Sequence, residues 1–162
     1  MQISEFELQQ LLTHVQKPAR YAGGEWNSIT KAWNAVDVTM ALIYPDVYEI
    51  GMSNLGLAIL YDLVNCREEM AAERVYAPWA DMEAAMRDAD VPLFSLETRH
   101  ALADFDVVGF TLQHELTYSN VLNMLHLGRL PLLADERTDG MPLIIGGGSC
   151  TYNPEPIAPF FD

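Results

Sequence analysis

The chain has 162 residues, half of them hydrophobic and a fifth charged, enough to cover roughly 70% of its unfolded surface on folding, which excludes a disordered segment. Asp and Glu number 23 against 9 Lys and Arg; the net charge of −14 repels phosphate backbones and anionic lipid, so neither nucleic acid nor a membrane is an expected partner. No apolar run approaches the ~20 residues of a membrane span, the start carries acids where a signal peptide carries bases, and Cys66 and Cys150 form no CxxC pair, so a cytoplasmic location is expected.

Ile3, Phe6, Leu8, Leu11, Leu12 and Val15 recur at helical spacing and predict a short amphipathic helix, stopped by Lys17-Pro18. A turn-rich connector follows, Ala22 to Asn27, which Trp26 and Trp33 are expected to pin to the domain. Val38 to Tyr44 is a nearly continuous apolar run, the pattern of a strand covered on both faces in a parallel sheet. Beyond Pro45, Ser53 or Asn54 is placed to cap a helix whose Leu55, Ile59, Leu60, Leu63 and Val64 form one apolar stripe.

Arg74 to Ala77 reads as a second, weaker strand, and Pro78-Trp79 opens a short helix through Met82, Ala85 and Met86. Leu93 to Leu96 is a brief extended piece. Asp106 to Leu112 is the third strand, followed by a helix with Leu116, Val121, Leu122 and Leu125 on one side and Gly128 as its stop. Pro142 to Ile145 then enters Gly146-Gly147-Gly148. Strand, turn and helix recur every 30 to 40 residues, as right-handed crossovers require. The expected fold is α/β and Rossmann-like (flavodoxin-like): a doubly wound, mainly parallel sheet of four to five strands spanning 37–162, with a helical extension and connector over 1–36. The apolar, proline-punctuated ending Pro156 to Asp162 suggests a piece of a longer protein.

Ligands of open α/β sheets bind outside the strands' carboxyl ends, where strand order reverses. Three loops qualify: Asp46 to Asn54 with Tyr48, Gly51 and Ser53, then Thr111, Gln113 and His114, and finally Gly146, Gly147, Gly148 and Ser149. Three glycines in a row let a flat ligand rest on the backbone or simply make a tight turn. They are not GxGxxG, and no GxxxxGK[ST] occurs, so neither standard nucleotide-binding loop is present. His14, His100, His114 and His126 make no HxxxH or HxH pair, and a metal site is not expected. Cys150, after the glycines, meets a helix start that would activate it, but no base stands nearby in sequence, and Ser149 lacks a GxSxG elbow.

Asp46-x-Tyr48-x-x-Gly51, Thr111-Leu112-Gln113 and Gly146-Gly147 resemble the Asp-x-His-x-x-Gly, Ser-x-Leu and Gly-Gly elements of corrinoid-binding Rossmann domains. Tyr48 replaces the histidine that would supply cobalt's lower axial ligand, so the resemblance implies His-off binding of cobalamin, or a pocket that has lost it. Lys17-Pro18-Ala19-Arg20-Tyr21, Gly23-Gly24-Glu25-Trp26-Asn27, Pro45 to Gly56, Glu73 to Trp79 and Tyr152 to Pro156 are similar to the start of an uncharacterised family of radical S-adenosylmethionine (radical SAM) proteins. That resemblance implies an accessory cobalamin-binding-like domain ahead of a radical domain, which would carry the 4Fe-4S cluster and S-adenosylmethionine. The cluster's Cys-x-x-x-Cys-x-x-Cys motif is absent here, so this stretch alone is expected to be non-catalytic and the full-length protein a radical enzyme. The alternative is a docking or dimerisation domain with an empty pocket, in which Tyr48 and Met52 fill the cavity.

Overall fold

The computed structural model describes residues 1–162. Its helices are α1 (Glu5–Leu12), the single turn α2 (Tyr48–Gly51), α3 (Leu55–Asn65), α4 (Ala80–Asp88) and α5 (Tyr118–Leu127). Four strands, β1 (Val38–Tyr44), β2 (Met70–Tyr76), β3 (Val107–Thr111) and β4 (Leu143–Gly147), form one sheet in the order β2-β1-β3-β4. Every pairing is parallel. The α/β, Rossmann-like expectation is met with four strands, and the first covers the residues the apolar run marked.

The two faces of the sheet are packed unequally. Ala41, Ile43, Val108, Phe110 and Ile144 point to the side of α4 and α5, within a core of 22 buried residues. On the opposite side α3 lies over β1 and β2, where Leu42, Tyr44, Leu57, Tyr61 and Ala72 make a core of only five. Strand alternation places Met40 and Leu42, Gly109 and Thr111, and Ile145 and Gly147 on this thinner side.

Residues 1–36 fold onto the sheet domain. Ser4 and Glu7 form a reciprocal capping box at α1, and Ile3 and Leu11 enter the main core. Gln2 bridges to His100, and the terminal ammonium pairs with Asp104. Trp33 does pin the connector: its ring stacks on His100 at 3.7 Å and its Nε1 donates to buried Glu73 at 2.8 Å. Trp26 does not, being 99% exposed.

The capping expectation for α3 is met by one of its two candidates, and three further expectations are corrected. Asn54 caps α3, accepting from the Leu57 N–H at 2.8 Å, while the Ser53 hydroxyl turns back to donate to the Ile50 carbonyl. The buried side of α3 carries Leu57, Tyr61 and Asn65, so most of the expected stripe, Leu55, Ile59, Leu60 and Leu63, faces outward. Leu116 is exposed in a 3-10 turn before α5. No α-helix follows the glycines: Ser149–Tyr152 is one 3-10 turn with Cys150 buried, so the helix start that was to activate the thiol is missing.

Candidate functional site

The connection from β1 runs to β2 on one side, while β3 lies on the other, so strand order reverses between β1 and β3. The carboxyl end of that crevice opens into a groove of about 480 Å³ on the α3 side. Met40 and Leu42 of β1, Gly109 and Thr111 of β3, and Ile145 to Gly148 of β4 and its turn line it, with Gln113 at the rim. Asn54, Gly56, Leu57, Ile59 and Leu60 of α3 close the far wall. None of the lining residues is charged, although the chain carries −14.

Glycine makes this space in two ways. A Cβ on Gly147 would meet nothing within 4 Å, so the room above it belongs to the groove. Gly148 has φ +127°, and a Cβ there would press into the Leu112 carbonyl, so the turn after β4 closes against β3 only with glycine. The Leu112 N–H donates to the Gly147 carbonyl at 2.6 Å, and the Leu112 carbonyl accepts from the Cys150 N–H at 3.1 Å. The Ser149 hydroxyl adds a bond to the Gln113 carbonyl at 2.5 Å. These bonds hold the two loops side by side.

Of the residues expected at a site, Asn54, Thr111, Gln113, Gly146, Gly147 and Gly148 line the groove together. Ser149 braces it from behind. Asp46 lies outside the lining and bonds the Val47 N–H through its carboxylate. Ser53 is exposed on the α2–α3 turn, and His114 is exposed where it begins the turn before α5. Gly109, Met40 and Ile145 were read only as strand residues. The signal that marks Gly109 is a glycine inside a strand, which often indicates close approach of another group.

Tyr48 and Gly51 belong to a neighbouring network. The Tyr48 hydroxyl donates to Glu25 at 3.0 Å and its ring meets Tyr76 edge-on at 5.5 Å, which turns the side chain toward β2. Glu25 also accepts from Arg74 at 3.0 Å, and Arg74 donates to Glu97 at 2.6 Å and to the Met52 sulfur at 3.1 Å. The guanidinium lies over the Tyr61 ring, 4.8 Å from its centre. Burial opposes its charge, but Glu97 and its neighbours outweigh burial and raise the Arg74 pKa. Burial pushes Glu97 upward against the pull of Arg74. This cluster borders a second groove of about 540 Å³ lined by Gly51, Met52, Asn54, Tyr61 and Tyr76. Tyr48 and Met52 therefore stand outside the switch-point groove and do not fill it.

A larger groove of about 660 Å³ runs between α1 and α4 past Phe6, His14, Asp81 and Asp88, and no strand residue lines it. No group of three or more His, Cys, Asp or Glu side chains is arranged to hold a metal ion, and no helix is long and apolar enough to cross a membrane.

Comparison with known proteins adds to this geometry. An uncharacterised protein of Methanocaldococcus jannaschii is 27% identical over 124 residues, 76% of this chain but 22% of that protein. The chain thus spans about a fifth of its relative's length. No solved structure matches it. The family model described as radical SAM proteins, N-terminal, matches residues 56–162, which include α3 from its second residue, three of the four strands and the glycine turn. With about two thirds of its length matched, the chain belongs to the N-terminal domain family of radical SAM proteins.

Proposed function

We propose that this accessory domain binds a corrinoid at the switch-point groove and positions it for a radical domain elsewhere in the same polypeptide, with the cobalt in a His-off state. The observation that carries the reading is the uncharged groove toward the carboxyl ends of β1, β3 and β4, left open above Gly147. Its size and its apolar walls with a few polar groups suit a small-molecule site.

The residues present fit such a ligand. Met40, Leu42 and Ile145 offer apolar floor, and Thr111, Gln113 and Asn54 offer hydrogen-bonding groups near the rim. The absence of a side chain on Gly147 leaves open space that allows close approach of a flat ring. Tyr48, held by Glu25 and packed on Tyr76, is directed away from the groove and would not touch a ligand bound there. When bound, a corrinoid supplies a cobalt centre able to carry an alkyl group; the protein's part is orientation and access. The absence of Lys and Arg from the lining argues against a ligand held chiefly by its phosphates.

Titration with hydroxocobalamin, followed by the visible spectrum, tests this. Saturable binding is expected, with Tyr48→Phe leaving it unchanged. Gly147→Leu fills the open space without a forbidden backbone angle, so affinity falls at least tenfold while the circular dichroism spectrum stays the same. An unchanged cobalamin spectrum at high protein concentration overturns the reading.

A further inference from the structure

The sheet's outer face on the α3 side is incompletely covered. All-parallel sheets occur with helices on both faces, since both sides of their strands are apolar. Here α3 packs chiefly on β2 and β1, and beyond it Leu143 is 50% and Ile145 39% exposed. Ile59, Leu60 and Leu63 on α3 are 50%, 48% and 59% exposed. Ile59, Leu60 and Ile145 wall one groove; Leu63 lies one turn further along α3 from Ile59, and Leu143 shares the strand face of Ile145. A helix that is apolar on all sides is normally buried, and a patch of this kind on a strongly charged chain marks an interaction surface.

We propose that this patch is the seat of a helix from the segment that follows Asp162 in the longer polypeptide. Three observations select that occupant. The chain spans 22% of its relative, so most of that protein lies outside the matched region. The Asp162 N–H donates to the Ile144 carbonyl at 3.0 Å and its carboxylate accepts from the Ile144 N–H at 2.7 Å, so the backbone lies along the free edge of β4, where a next strand pairs. The connection leading there packs Cys150 and Ile157 into the α5-side core and sets Phe161 edge-on to Phe110 at 5.9 Å. With that side occupied, the next helix returning to the sheet finds its open face beside α3. A second copy of this chain is disfavoured because each brings a charge of −14.

α3 starts at the carboxyl edge of the sheet and runs toward the amino edge, so Ile59 and Leu63 lie below the groove's rim. The helix roofs this lower part and leaves Thr111 and Gln113 at an open mouth. The proposal stands whether or not a ligand binds there.

The test uses the full-length polypeptide without corrinoid. Ile59→Cys and, separately, Leu143→Cys are alkylated with a neutral maleimide and compared with Phe6→Cys, which lies on α1 and is 72% exposed in the wild type. Both patch thiols are expected to react at least tenfold more slowly than the reference; equal rates overturn the proposal. A photo-crosslinker at position 59 is expected to capture a peptide beyond Asp162 of the same chain. Capture of a second chain, or protection that disappears on dilution, overturns it as well.

Discussion

Arg74 links Glu25, Met52, Tyr61 and Glu97 through one side chain. It is 8% exposed, and its partner Glu97 has a fully buried side chain. Glu97 also accepts from the Arg74 backbone N–H at 2.7 Å, so one carboxylate holds both the strand and its side chain. Removing one member of a buried ion pair strands the other charge, at a cost of ~3–5 kcal/mol. Urea unfolding of Arg74→Met is expected to fall in that range, with Arg74→Lys in between because an ammonium lacks the fork that reaches two carboxylates. A loss under ~1 kcal/mol would mean that the pair is solvated. Glu49 differs in kind. Arg20, its own backbone N–H and Lys17 together hold its carboxyl near about 2, against an ordinary 4.5. The folded value lies below the unfolded one, so the stabilisation is present above pH 4.5 and is lost as pH falls toward 2. An NMR titration of the Glu49 carboxyl should give a midpoint near about 2, and a midpoint at the ordinary value would refute the clamp.

At the scale of elements, α3 is the instructive case. Its cap is assigned to Asn54, so Asn54→Ala should lower stability by ~1 kcal/mol in thermal unfolding while Ser53→Ala changes little. Equal losses would contradict the assignment. Asn54, Thr111, Gln113 and Gly146 to Gly148 were legible as site candidates because glycines and caps at strand ends mark the carboxyl edge of an α/β sheet. The buried side of α3 was not legible. Leu55, Leu57, Ile59, Leu60, Leu63 and Val64 put apolar residues all round the helix, and periodicity cannot choose a face when two qualify. The side that packs carries Tyr61 and Asn65, whose polar groups are satisfied by the Ile29 and Ala72 backbones. Tyr48 was grouped with the glycines because it follows β1. Its direction is set instead by Glu25, 23 residues upstream, a non-local contact without local pattern.

At the scale of the molecule, the rhythm of strand, turn and helix made the parallel sheet readable, because crossover connections impose that spacing. The uneven cover of its faces was hidden, since each strand looks apolar whichever side is packed. The outer edge of β2 has the opposite character. Ala72 spends both of its outward backbone groups on the Asn65 side-chain amide, at 3.0 Å each way. Arg74 gives its N–H to Glu97 and its carbonyl to the Leu96 N–H. A foreign strand arriving at β2 therefore finds its donors and acceptors already taken, which blunts the edge as a template for pairing. Crowded with copies of itself during synthesis, this acidic protein cannot lengthen its sheet from β2 in the manner of a growing fibril.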